Sequence, residues 1–457
     1  MASVEEQANP AKLDFKRIFP IFVIVLVDLL GLTIIIPLLP LYATAFGANP
    51  FTIGIIGAAY PTMQLLGSPL LGSLSDRFGR KPVLVVSQIG TFLGFIMLGF
   101  ANAIPILILS RIIDGLSGAN IVTAQAAITD STTDETRAQG LGLLGAAFGL
   151  GFVIGPAIAG ISLALTGNDF RVPAFIAAAF SLISIILTTF WFEETLSDEN
   201  REAQKNSETG SFYNKFMRAM TNPLVSILLI FMFMQRLVFG GFEQLLPLFT
   251  LSRLGLDGAG NAFLYIFVGV ILVIMQGGLI GPLSRRFGEV KLVYAGLSLM
   301  GLGLILISIT PQIPVNWYDK QDMLESFSNT AEIGEEGIPQ EIGVPLPDDA
   351  NRGWTGLSWM LVALIPTSIG GGLLSPGLNS LITRRSSAAD AGGVLGISAA
   401  LVSGANAITP LIGGAMFQFF GSTAPFMIGG IMLIILFAFA TQTVKNEKVD
   451  TAVSVQL

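Results

Sequence analysis

The chain has 457 residues, 52% hydrophobic and 12% charged, with a mean hydropathy of +0.72; soluble chains carry about a quarter charged residues, so a water-soluble globular protein is excluded. Its net charge of −7 is contributed entirely by nine acids and two bases between Pro311 and Trp354, which leaves no basic field for nucleic acid. With no cysteine and no histidine, disulfide and thiol chemistry are excluded, and any proton handling falls to carboxylates.

About 20 apolar residues cross a bilayer. Twelve such runs follow in order, near 18–45, 51–74, 83–101, 104–129, 137–163, 170–192, 223–250, 260–283, 290–310, 355–383, 392–416 and 422–443. Long continuous runs satisfy their backbone groups in lipid as helices. The expected fold is all-α and polytopic, with twelve transmembrane helices in two pseudo-symmetric six-helix bundles, 1–192 and 223–457. A polar linker, 193–222, separates them. Residues 1–17 are polar and show no small-residue cleavage site, so the first span is expected to be its own insertion signal. With the amino terminus inside, eighteen Lys and Arg fall on inner segments and four on outer ones. Both termini are therefore expected to be cytoplasmic, with 311–354 outside.

The second span ends in Gly72-Ser-Leu-Ser-Asp76-Arg77-Phe-Gly79-Arg80-Lys81-Pro82, and the eighth in Leu279-Ile-Gly281-Pro-Leu-Ser-Arg285-Arg286-Phe-Gly288. Gly72, Phe78 and Gly79 recur as Gly281, Phe287 and Gly288 at a constant offset of 209 residues. A second correspondence, Gly155-Pro156-Ala-Ile-Ala-Gly160 with Thr409-Pro410-Leu-Ile-Gly-Gly414, has an offset of 254. The offsets differ by 45, close to the 44 residues of 311–354. That acidic segment reads as an insertion outside the repeated unit, expected to be irregular from its Pro, Gly and acid content. In the loop motif, Gly72 and Gly79 suit a tight reversal. Arg77, Arg80 and Lys81 suit an anionic inner face.

Charges inside the membrane need a reason. Asp28 lies mid-way along span one, without a partner on its own helix. Arg111 and Asp114 share a face of span four at i,i+3, and Arg236 and Glu243 a face of span seven at i,i+7. Loss of solvent favours the neutral form of a carboxylate, so these groups are candidates for proton coupling in a substrate cavity. Gln64, Gln125, Gln235, Gln244, Gln276, Asn379 and Asn406 are candidate cavity amides. Neither a phosphate-cradling loop nor a cluster with metal spacing occurs, so neither ATP nor a metal is expected, and an enzyme is not expected.

The loop Gly72–Lys81 resembles the signature of the major facilitator superfamily between its second and third helices. Arg111-Ile-Ile-Asp-Gly115 resembles the family's helix-four element. Gly151-x-x-x-Gly155-Pro156-x-x-Ala159-Gly160 resembles the helix-five element of its drug/proton antiporter branch, with Ala159 where glycine is usual. Asp28-Leu-Leu-Gly31 and Pro37-Leu-Leu-Pro40-Leu-Tyr42 resemble helix one of twelve-helix multidrug and tetracycline exporters. The resemblance implies a secondary active transporter, proton-coupled, exporting a small amphipathic compound or drug by alternating access. The proton gradient would be its energy source, with no cofactor. Its partners would be substrate, protons and the lipid bilayer, and it would function as a monomer. The resemblance further implies a latch between Asp76 and Arg137, absent from the second half where Arg285 replaces Asp76. Helix five would seal the two halves against each other. Metabolite or sugar symport or facilitation is an alternative, as is a transporter-like sensor or assembly factor that binds a partner through 311–354. The lack of any Asn-x-Ser/Thr sequon favours a bacterial inner membrane.

Overall fold

Once lipid surrounds a chain, every backbone N–H and C=O must find its partner internally, and apolar runs this long do so as helices. A computed structural model describes residues 14–118, 120–133, 136–196, 221–331, 342–385 and 391–444. Most of the expected linker, both tails, and Glu332, Glu335, Glu336 and Glu341 lie outside the described residues. The helices before residue 196 are α1 (Phe15–Ile35), α2 (Leu39–Ala45), α3 (Pro50–Phe78), α4 (Arg80–Gly99), α5 (Ile104–Ser117), α6 (Asn120–Asp130), α7 (Arg137–Thr166) and α8 (Arg171–Phe190). Those after residue 221 are α9 (Pro223–Leu254), α10 (Gly258–Val273), a π-turn (Ile274–Leu279), α11 (Ile280–Phe287), α12 (Glu289–Ser308), α13 (Lys320–Ala331), α14 (Thr355–Arg385), α15 (Ala391–Phe420) and α16 (Ala424–Thr443).

Twelve spans result. The first is α1 with α2, broken at Pro37, which has no N–H to continue the ladder. The fourth is α5 with α6, and the eighth is α10, the π-turn and α11. Among the described residues, eleven spans are long and apolar enough to cross a membrane. The remaining one, α3, has 29 residues but carries Asp76, Arg77 and two internal prolines. The spans before residue 196 pack chiefly on one another, as do those after residue 221.

The loop motif is mostly helix. Gly72 lies within α3, and the reversal falls on Gly79 alone, at φ +106°. Its counterpart Gly288 has φ +78°, and the ψ values of the two, 160° and 156°, match. Both are positive-φ positions that only glycine adopts without strain.

Among its described residues the acidic segment departs from expectation at Lys320–Ala331, which form α13, while the residues on either side are largely irregular. Asp319 Oδ1 caps α13, accepting from Gln321 N at 2.8 Å, as short carboxylates do at helix starts. Acids face outward while Met323 and Phe327 enter the main core with Val315, Tyr318 and Val344. The segment is rooted in the second half by Val315 N to Leu254 O at 3.0 Å. It then crosses to the first half, where Phe327 stacks on Phe170 at 6.2 Å. There Arg171 Nη2 donates to Thr330 O at 3.0 Å. Polar composition concealed a two-sided helix that buries Met323 and Phe327 while Leu324 and the acids stay exposed.

Candidate functional site

Small residues decide how closely two membrane helices approach. At the end of the bundle that bears α13, the halves touch along two helix pairs. On one pair, Gly54 of α3 lies against Pro410 of α15, and Phe51 N donates to Gln418 Oε1 at 3.0 Å. On the other, α7 meets α10: a Cβ added at Gly160 would lie 2.8 Å from Ala262 Cβ, and one at Gly269 2.8 Å from Phe152 O. Asn168 Nδ2 donates to Asp257 Oδ2 at 3.0 Å across the same seam. Gly151 and Gly155 press α7 on Thr33 of α1, and α7 runs unbroken through Pro156.

At the opposite end, which bears Gly79 and Gly288, the same helices separate. A Cβ at Gly142 or Gly145 of α7, or at Gly277 of the π-turn, would meet nothing within 4 Å. Between the halves lies a cavity of about 1050 Å³ that runs from Leu39 and Ile53 near the closed end to Ile21, Gly142 and Ile280 near the open one. Its wall is apolar and aromatic, with Phe95, Phe148, Phe152, Phe239 and Phe242 among it.

All five expected intramembrane charges reach this cavity. Arg111 is 2% exposed, and its Nη1 donates to Asp114 Oδ2 at 3.0 Å within one helix face. Its guanidinium also lies 5.5 Å from the centre of the Phe95 ring, a favourable cation–π placement. Arg236 holds Glu243 at 3.5 Å and donates through Nε to Asn406 Oδ1 at 2.6 Å. Asp28 has a hydrogen-bond partner from another helix, Asn120 Nδ2 at 2.9 Å. Its Oδ1 is buried without any, and among the described residues no cation pairs with it.

Breaking a buried pair leaves its partner as an unpaired charge. Asp114→Ala is therefore expected to destabilise the protein by about 3–5 kcal/mol, read as a lowered thermal midpoint in detergent. An unchanged midpoint would mean that Arg111 finds another counter-charge.

The amides divide. Gln64, Gln235, Gln244, Gln276 and Asn406 line the cavity, whereas Gln125 and Asn379 lie off its wall. Gln64 also donates to Gly118 O at 2.9 Å, satisfying a carbonyl where span four breaks. Sequence reasoning missed Asn120, Tyr60 and Tyr265. The available signal was an Asn directly after the Gly118 break, in an otherwise apolar run.

At the open end, the guanidinium on Asp76 belongs to Arg80, at 2.5 Å, rather than to Arg137. Asp76 and Arg80 are i,i+4 across the Gly79 turn. Arg80 is 2% exposed and also reaches Asp130 Oδ2 at 2.9 Å and Ser75 Oγ at 2.8 Å. Lys81 N and Arg80 N donate to Glu194, which fixes the turn. Arg77 lies over the Phe78 ring, and Arg137 opens α7 half-buried.

Comparison with known proteins agrees with this architecture. Tetracycline resistance protein class B of Escherichia coli is 34% identical over 278 residues, covering 60% of this chain and 68% of that protein. The class D protein of Salmonella ordonez is 28% identical over 418 residues, 90% and 91% of the two chains. Multidrug resistance protein 2 of Bacillus subtilis is 30% identical over 278 residues, 60% and 69% of the two. Among solved structures, a POT family transporter aligns with TM-score 0.67 at 16% identity over 94% of this chain and 96% of its own. The human organic anion transporter MFSD10 aligns with TM-score 0.57 at 20% identity over 94% and 100%. These two show a shared fold. The sequence model of one family matches residues 21–323 and 351–454, passing over only the middle of the acidic segment. With two six-span halves around a central cavity, and with that match over most of its length, the chain belongs to the Major Facilitator Superfamily.

Proposed function

We propose that this protein is a proton-driven exporter of small amphipathic drugs, described here in its inward-open state. The observation that carries the reading is the cavity of about 1050 Å³ between the halves, at which Asp28 presents an oxygen without a partner. Drug-sized ligands occupy pockets of about 300–1,000 Å³ lined by apolar and aromatic groups with few polar ones, and this cavity has that character. Arg111 with Asp114 and Arg236 with Glu243 are internally compensated, so Asp28 is the carboxylate left to exchange a proton. Substrate enters from the cytoplasmic side, where Gly79 and Gly288 lie. Both termini are cytoplasmic, and 311–354 faces outward, as the distribution of Lys and Arg supports. The protein works as a monomer in a bacterial inner membrane and draws its energy from the proton gradient. The Arg80 cluster and the glycines Gly151, Gly155 and Gly160 shape the inner and outer closures. The resistance proteins among its relatives support drug efflux.

The test is reconstitution into vesicles with an imposed pH gradient, following tetracycline uptake and lumenal pH together. Accumulation of tetracycline coupled to proton counter-flow is expected. If neither tetracycline nor the lipophilic cation ethidium moves, and no proton flux appears, the proposal is overturned.

A further inference from the structure

The second loop motif inverts the first. Asp76, Arg80 and Asp130 correspond to Arg285, Glu289 and Arg384 at offsets of 209, 209 and 254 residues, the same offsets that the glycines and prolines give. Every sign is exchanged. The geometry is nevertheless kept: Arg80 Nε lies 2.9 Å from Asp130 Oδ2, and Arg384 Nη2 lies 2.8 Å from Glu289 Oε1. Both central residues directly follow a positive-φ glycine and open a helix.

The serine one residue before Asp76, Ser75, has its counterpart in Ser284. Ser75 Oγ accepts from Arg80 Nη1 at 2.8 Å, and Ser284 Oγ donates to Glu289 Oε1 at 3.2 Å. A hydroxyl serves as donor or acceptor, so serine fits either polarity.

The helix dipole explains why the copies differ in number of contacts. A cation in the first turn of a helix is disfavoured and an anion favoured. Arg80 accordingly has two carboxylates beside it. Glu289, placed favourably at the start of α12, has one arginine that is 68% exposed, together with Ser284 and Ser380. Arg285 instead donates to Gly281 O.

We infer that Glu289, Arg384 and Ser284 form a charge-inverted clamp, which ties the Gly288 turn to the end of α14 as Arg80 ties the Gly79 turn to the end of α6. This clamp is distinct from the expected latch on Asp76, whose counterpart Arg285 has no carboxylate beside it among the described residues. None of these residues lines the cavity. They are positioning residues: each clamp lies within one half, so that the inner rim of that half moves as one piece when the halves rock. The inference rests on the transport reading, and its test includes a readout that does not.

The experiment uses the full chain in vesicles, with one reporter cysteine in place of Gly145, where a Cβ meets nothing within 4 Å. Glu289→Arg and Arg384→Glu each set like charges together, and the double exchange restores an opposite pair in the polarity of the first half. Labelling by a membrane-impermeant maleimide is expected to change at least about twofold in each single variant and to return toward the parent in the double, as for directly coupled residues. Tetracycline turnover follows the same pattern with its dissociation constant unchanged, a split that general unfolding does not produce. Glu289→Gln keeps the serine contacts and is expected to fall between the parent and Glu289→Arg. Single variants that label like the parent, or a double variant no better than the worse single, overturn the clamp. Absence of tetracycline transport by the parent counts instead against the exporter reading, since labelling needs no substrate.

Discussion

Asp28→Asn is expected to abolish gradient-driven export while leaving the folded protein and its substrate binding intact. The amide has nearly the shape of the protonated acid, and its oxygen can still accept from Asn120 Nδ2, which lies 2.9 Å from Asp28 Oδ2. It cannot release a proton, and no histidine exists in the chain to take over. Arg111 and Arg236 remain compensated by Asp114 and Glu243, so no buried charge is left stranded. Two vesicle measurements separate coupling from folding. Downhill exchange of tetracycline between compartments should persist, because alternating access is untouched. Accumulation against a gradient should fall to the level of protein-free vesicles. A variant that still accumulates tetracycline would remove Asp28 from the coupling step and shift attention to Asp114.

Replacing residues 311–354 by a short Gly/Ser linker from Thr310 to Thr355 is expected to cost most of the folded protein. From the sequence, this segment read as an insertion outside the repeated unit. The structure buries Val315, Tyr318, Met323, Phe327 and Val344 in the main core, each worth about 1.5–3 kcal/mol when fully buried. Removing them also uncovers Phe170 and Leu254, now 2% and 0% exposed. A loss on this scale is comparable with the about 5–15 kcal/mol that holds a typical protein folded. The milder variant Phe327→Ala removes only the ring stacked on Phe170 and should cost about 3–5 kcal/mol. Size-exclusion profile and thermal midpoint in detergent read both changes. Parental values for the deletion would show that the segment merely rests on the bundle. Exposed acids such as Asp322 and Glu325 should tolerate neutralisation, since they face away from the core.

The sequence by itself determined the number and order of the spans, the two halves, the repeated loop and the same-face pairs Arg111 with Asp114 and Arg236 with Glu243. These are one-dimensional quantities: apolar length is set by bilayer thickness, and i,i+3 neighbours share a helix face whatever surrounds them. One local pair was legible and overlooked. Asp76 and Arg80 are four residues apart, but reading 72–82 as a loop hid the helix that continues to Phe78.

Tertiary structure alone decided the rest. Asp28 meets Asn120 across 92 residues of chain, and Arg80 meets Asp130 across 50. No periodicity encodes such distances, because they follow from which helices pack together. The state of the molecule, closed at Gly54 and Gly160 and open at Gly142 and Gly145, is likewise a relation between halves, and one sequence must support both alternatives. The acidic segment was misread for a related reason. Composition averages over a helix, whereas folding separates its faces, and only the presence of Phe170 opposite Phe327 gave the buried face something to cover.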